Sequence, residues 1–211
     1  MAKEIVLYGF DGSTYVRTVR MLLAEKGAEY HQVPVNVLAR EPRQPEHLER
    51  HPFGKVPVLD HDGMRILETA AITYYLNDVL DGESFIPANA KDRARMDMAI
   101  GLFNSYGYDS LIGVAGYHLF PDFIGNPDAN FLQTSVDQAR KLLSEIMKIR
   151  GDSEWIAGDN PTLADFFLAP ACFYVSLVDD AAKVFDVDGF QPWWGRMQQL
   201  ESYRSTEPDL S

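Results

Sequence analysis

Cysteine is all but missing from this 211-residue chain, where Cys172 stands alone. One thiol can build neither a disulfide framework nor a cysteine-cluster metal site, and a reducing cytoplasm is the expected compartment. No apolar run reaches the roughly 18 residues of a spanning helix. The opening segment MAKEIVLYGF mixes its charges and passes at once into a strand pattern, unlike a signal peptide. Basic charge is scarce: 19 Lys and Arg face 31 Asp and Glu, a formal charge of −12. No basic run gathers the cations that phosphate contacts require, so neither nucleic acid nor an anionic membrane surface is an expected partner. The five histidines are scattered without ligand spacing. Asp186-Val187-Asp188-Gly189 lacks the spaced acids and final Glu of a calcium loop. No metal is expected, and no G-x-S-x-G, Walker loop or G-x-G-x-x-G occurs.

What is present is ample apolar material. Hydrophobic residues make up 46% and aromatics 12% of the chain, enough for a packed core. The patterning changes near residue 85. Before it, Ile5–Tyr8 is a compact apolar run closed by Gly9. Ser13–Glu25 has a helical face of Val16, Val19, Leu22 and Leu23, stopped by Gly27. Val33, Val35 and Val37 alternate with polar residues and Pro34, as in an edge strand. A polar, proline-containing stretch, Arg40–His51, leads to a predicted hairpin of Val56–Leu59 and Arg65–Leu67 around Asp60-His61-Asp62-Gly63, and Thr69–Asn77 reads as a helix. The order βαβαββα implies a mixed sheet with helices packed on it. After it only helical patterns appear, about Lys91–Phe120, Asn126–Ile149, Thr162–Val178 and Pro192–Leu200. The tail Ser202–Ser211 is polar and expected to be loose. The expected division is an α/β domain over 1–80, a linker over 81–90 holding Gly82, Pro87 and Asn89, and an all-helical domain over 91–211.

Four motifs in this order resemble the cytosolic glutathione transferases, with a thioredoxin-like N-terminal domain and an all-α C-terminal one. Leu7-Tyr8-Gly9 followed by Ser13 and Arg17 is similar to the strand, loop and helix of the family's serine-type classes, of theta or phi style. Pro52-Phe53-Gly54-Lys55-Val56-Pro57-Val58-Leu59 resembles NP-x-G-x-VP-x-L, with His51 in place of the usual Asn. Leu67-Glu68-Thr69-Ala70-Ala71-Ile72 resembles E-S-x-A-I, with Thr69 for the serine. Pro161-Thr162-Leu163-Ala164-Asp165-Phe166 resembles the N-cap and staple motif of the helical domain. The resemblance covers nearly the whole chain.

It implies an enzyme whose co-substrate is glutathione and whose second substrate is an apolar electrophile. Ser13 would stabilise the glutathione thiolate. On position alone Ser13 is also a plain N-cap, and the two roles are compatible. A free thiol has a pKa of about 8.5, and lowering it by about two units takes roughly 2.7 kcal/mol. A hydroxyl hydrogen bond to the anion supplies about 1.5–3 kcal/mol and a helix N-terminus about 0.3–1 kcal/mol more. Arg17, four residues on, is expected to face the same side and add positive potential. Tyr8 is the rival activator, read mainly as structural. Without a cysteine at position 13, disulfide exchange is not expected. Glu68 would pair with the γ-glutamyl ammonium and Thr69 with the α-carboxylate. The backbone of Val56, ahead of a Pro57 that is cis in the family, would bind the cysteinyl unit. Lys55 or Arg43 would take the glycine carboxylate. Phe10 and Tyr106 are candidates for the electrophile pocket. Thr162 and Asp165 form a capping box with a structural role. A homodimer is implied, with Phe53 as a wedge into the partner. Conjugation is the leading reaction. The alternatives are catabolic ether cleavage, dehalogenation or isomerisation, or a binding or scaffold protein without catalysis. Gly12-Ser13-Thr14-Tyr15-Val16-Arg17 departs from the Ser-Ser-Cys-like motif of the maleylacetoacetate isomerase class, which speaks against that activity.

Overall fold

The computed structural model describes Glu4–Asp209. The first three residues of the opening segment and the last two of the tail lie outside the described residues. Two compact units emerge, Met1–Ser84 together with Leu200–Ser211, and Phe85–Gln199.

The first unit is built on four strands: β1 (Ile5–Tyr8), β2 (His31–Val33), β3 (Val58–His61) and β4 (Met64–Leu67), in the order β2-β1-β3-β4. β1 pairs parallel with β2 and antiparallel with β3, and β3 with β4, giving the expected mixed sheet. β2 is shorter than the alternation predicts and stops at Val33, because Pro34 has no N–H to continue the ladder. The β3–β4 turn is Asp62-Gly63, both at positive φ (53° and 75°), as a right-twisted two-residue hairpin requires. α1 (Thr14–Glu25) and α3 (Thr69–Val79) cover the sheet with Val16, Val19, Leu22, Leu23, Ile72 and Leu76, all at zero exposure against Leu7, Val58 and Leu59. The Lys26 ammonium closes the C-terminus of α3 on the carbonyls of Asn77 and Leu80, at 3.2 and 3.4 Å. Between β2 and β3 lie a 3₁₀ turn, Glu41–Arg43, and the short α2 (Pro45–Arg50).

The tail corrects the expectation. Glu201–Ser205 is helical and Tyr203 is buried. The Arg17 guanidinium donates to the Tyr203 carbonyl at 2.8 Å and lies 4.5 Å from the centre of its ring. Arg20 reaches the Thr206 carbonyl.

The second unit holds α4 (Ala90–Leu102), α5 (Tyr108–Leu119), α6 (Ala129–Arg150), α7 (Leu163–Ser176), α8 (Ala181–Val184) and α9 (Phe190–Met197), with the terminal helix of the first unit numbered α10. The long helix expected over Lys91–Phe120 is divided by a π-helical turn, Phe103–Gly107. A Cβ at Gly107 would come within 2.1 Å of the Leu142 side chain of α6, so the division lies where the backbone touches its neighbour. α7 is buried on every side from Leu163 to Val175. Burial pushes the Cys172 thiol at its centre upward, which leaves a packing residue with little thiolate character. Among the described residues no helix is long and apolar enough to cross a membrane.

Candidate active site

Strand register brings the sequence motifs together. Tyr8, the last residue of β1, stands opposite Val58, the first of β3, and Val58 stands opposite Leu67, the last of β4. Neighbouring strands lie about 4.8 Å apart. The loop Gly9–Ser13, the Val56–Pro57 pair and Glu68-Thr69 therefore all leave the sheet at the same end, although up to 60 positions separate them in sequence.

Ser13 is the N-cap of α1. Its Oγ accepts from the Val16 N–H at 3.4 Å and its own N–H donates to the Phe10 carbonyl at 3.0 Å. The accepting role uses a lone pair and leaves the hydroxyl proton for an acceptor beyond the helix end, where the helix dipole also favours an anion. The capping conformation is thus compatible with a donor role toward an anion at the helix end. Arg17 takes no part in this. It is 1% exposed and its guanidinium donates to Tyr203 and Thr206, so these donors make no direct contact of this kind with Ser13. Tyr8 is committed as well. Its hydroxyl donates to Asp60 at 3.2 Å, Arg50 lies over its ring at 4.7 Å, and Arg65 holds Asp60 with two hydrogen bonds of 2.7 and 2.6 Å. The Arg65 guanidinium keeps the Asp60 carboxyl below the usual carboxylate range. A phenol so tethered is a support for the sheet end, and Ser13 is left as the free hydroxyl.

The Val56-Pro57 peptide is cis. Ahead of it, Gly54 sits at φ 58°, where a Cβ would meet the Pro42 carbonyl at 2.7 Å. Arg43 donates to the Phe53 carbonyl at 3.2 Å, which ties the 3₁₀ turn to this segment. The Lys55 side chain is exposed and has no ion pair among the described residues. Glu68 adopts φ 70°, ψ 122°, sparse territory for a residue with a Cβ, and its side chain is 76% exposed. Thr69 follows as the first, buried residue of α3. Sequence reasoning named Glu68 and Thr69 but missed the backbone outlier, for which one sequence carries no signal, and passed over His47 and His51. Both are 2% exposed and border the segment before the cis bond.

The remaining candidates fall elsewhere. Phe10 lies in the loop after β1, partly exposed. Tyr106 lies on the π-helical turn, 74% exposed. Thr162 and Asp165 form the expected capping box, and Asp165 does more than cap. Its carboxylate accepts from the Thr162 N–H and hydroxyl (2.8 Å each), the Ile156 N–H (3.1 Å) and the Trp193 indole N–H (2.7 Å). Full burial pushes this carboxyl up, and the four donors pull it back down.

A mixed four-stranded sheet with a cis-proline loop and a serine-capped helix, followed by an all-helical unit, defines a thioredoxin-like protein with an appended helical domain. The comparisons make this specific. The family described as glutathione S-transferase, N-terminal domain, matches residues 3–78, and glutathione S-transferase, C-terminal domain, matches 128–195. The chain belongs to the glutathione S-transferase family. It is 32% identical over 191 residues to a protein named maleylacetoacetate isomerase from Rhizobium meliloti (strain 1021), covering 89% of this chain and 86% of that one. To glutathione S-transferase F13 of Arabidopsis thaliana it is 26% identical over 209 residues, 97% and 95% of the two chains. The crystal structure of glutathione transferase F7 from Populus trichocarpa matches with a TM-score of 0.85 at 25% identity, covering 96% of this chain and 97% of that one.

Proposed function

We propose that this chain is a glutathione transferase that holds the glutathione sulfur as thiolate at Ser13 and directs it at an apolar electrophile. The convergence of Ser13, Val56-Pro57 and Glu68-Thr69 at one sheet end carries the reading. Glu68 pairs with the γ-glutamyl ammonium, Thr69 and the first N–H groups of α3 take the α-carboxylate, and Val56 pairs through its backbone with the cysteinyl unit. Lys55, exposed and unpaired, is the better cation for the glycine carboxylate, since Arg43 already serves the Phe53 carbonyl. The sulfur lone pair forms the new S–C bond. In substitution the leaving group departs with its electron pair, and in addition the carbon that gains the electrons takes a proton from water. Phe10 and Tyr106 are proposed to contact the electrophile. A cytoplasmic homodimer acting in detoxification is the setting that the resemblance supports.

Ser13→Ala is the test. With an activated aryl halide, kcat/KM should fall about 10- to 150-fold, the equivalent of one charge-assisted hydrogen bond of about 1.5–3 kcal/mol. The KM for glutathione should stay within about threefold, because that affinity rests on other contacts. Thiolate absorbance at neutral pH should vanish from the bound complex. Unchanged turnover would move activation away from Ser13.

The relative named maleylacetoacetate isomerase favours a second reading, glutathione-dependent isomerisation of a cis-configured unsaturated diketo acid. There the sulfur adds to the double bond, rotation follows, and elimination returns glutathione unchanged. Turnover of maleylacetoacetate without net loss of glutathione, alongside inert aryl halides, would select it.

A further inference from the structure

His51 stands where the resemblance calls for Asn, and its ring reaches what an asparagine side chain is too short to reach. Its Nδ1 accepts from the Phe53 N–H at 3.3 Å. A ring nitrogen that accepts carries no proton, so the neutral imidazole bears its hydrogen on Nε2. Nε2 faces the Glu68 carboxylate, with Oε1 at 4.0 Å. His47, one turn earlier on α2, has the same tautomer, because its Nε2 lies 2.8 Å from the Lys55 carbonyl, which can only accept. The two rings thus hold both ends of the segment that leads into the cis bond. Glu68 is exposed at a positive φ, and His51 is its only charge-bearing partner among the described residues.

We propose that His51 is a positioning residue for Glu68: neutral, its Nε2–H dipole, 4.0 Å from the carboxylate and beyond hydrogen-bond length, biases that exposed side chain toward the ligand's α-ammonium, and protonated, it pairs with the carboxylate itself and weakens glutathione capture. This rests on the glutathione reading above. The groups that face His51 are Glu68 at the start of α3, His47 on α2, and Lys55 and the Phe53 N–H in the intervening loop. Burial is the largest influence and, with His47 and Lys55, disfavours the imidazolium; Glu68 favours it. The balance puts the pKa below the ordinary 6.5. The ring is therefore neutral at physiological pH. As the pH falls through that lowered pKa, a proton on Nδ1 ends its acceptance from Phe53 and sets a cation beside Glu68. Affinity for the ligand ammonium then drops. By reciprocity a bound ammonium holds His51 neutral to lower pH.

S-methylglutathione is the probe, because its blocked sulfur does not titrate and its ammonium is intact. Calorimetry on the full chain between pH 8 and 5.5 should show affinity weakening about fivefold or more toward acid, the lower range of common site-to-site couplings. His51→Asn keeps an acceptor for the Phe53 N–H but neither reaches Glu68 nor titrates. It should bind a few-fold more weakly at pH 8, with a flat pH profile and unchanged kcat at saturating glutathione. Long-range proton–nitrogen NMR of the unsubstituted protein should show the Nε2–H tautomer and a titration midpoint that S-methylglutathione lowers. A flat profile in the unsubstituted protein, an equal slope in His51→Asn, or an Nδ1–H tautomer would each overturn the assignment. Absence of S-methylglutathione binding even at pH 8 would instead overturn the glutathione reading, and the role of His51 with it.

Discussion

Glu68 combines two demands at a single position. A residue with a Cβ at φ 70°, ψ 122° carries conformational strain of about 1–3 kcal/mol, which persists only where its surroundings enforce it. Glycine would adopt that conformation freely, at about 0.4–1 kcal/mol of added unfolded-state entropy. The proposed contact of its carboxylate with the ligand ammonium gives a reason for a glutamate there. Glu68→Gly is accordingly expected to melt at an unchanged or slightly higher temperature while losing about 10- to 150-fold in glutathione affinity, the share of one charge-assisted hydrogen bond. Calorimetric melting and a binding titration on the same sample separate the two effects. A variant that melts far lower with affinity intact would make Glu68 a structural residue. Ser13 shows the same economy in milder form, because the lone pair that caps α1 leaves the hydroxyl proton available for the proposed sulfur contact.

Helix α1 is held at its start by the N-cap its sequence announces and along its first two turns by contacts that the sequence does not advertise. Ser13 closes its start, and Arg17 and Arg20 bind it to the terminal helix through Tyr203 and Thr206. This is why the Arg17 guanidinium is directed to the terminal helix, although it lies one turn from Ser13. In the second unit Asp165 has the corresponding part at the start of α7, with four donors converging on one buried carboxylate. Asp165→Ala leaves those donors buried and unmatched. Denaturant unfolding should register a loss of about 3 kcal/mol or more, with the glutathione KM of the folded fraction unchanged. A loss below about 1 kcal/mol would mean that water replaces the carboxylate.

For the whole molecule, the open question is assembly. Phe53 is 71% exposed, unusual for a large aromatic in a chain with so full a core, and it follows the His51 segment directly. A single exposed aromatic is compatible with solvent as well as with a contact surface, so the dimer that the resemblance implies is what its substitution tests. Light scattering is expected to give about twice the 23.8 kDa chain mass, and Phe53→Ser to shift it toward one chain. A mass near 24 kDa for the unsubstituted protein would remove the dimer. The formal charge of −12 at pH 7 opposes nonspecific association and disfavours contact with nucleic acid.

Local order in the chain determined most elements of the first unit and the start of α7 in the second. The period of Val16, Val19, Leu22 and Leu23, the Asp62-Gly63 turn, the capping pair Thr162 and Asp165, and the proline and acid motifs are all short-range patterns, and short-range patterns select helices, turns and caps. Tertiary structure alone decided the rest. It divided the long helix where Gly107 meets Leu142, folded the polar tail onto α1, directed Arg17 to the terminal helix and set His51 near Glu68. Each of those outcomes depends on which buried group finds a partner from a distant part of the chain, and that pairing exists only once the chain is packed.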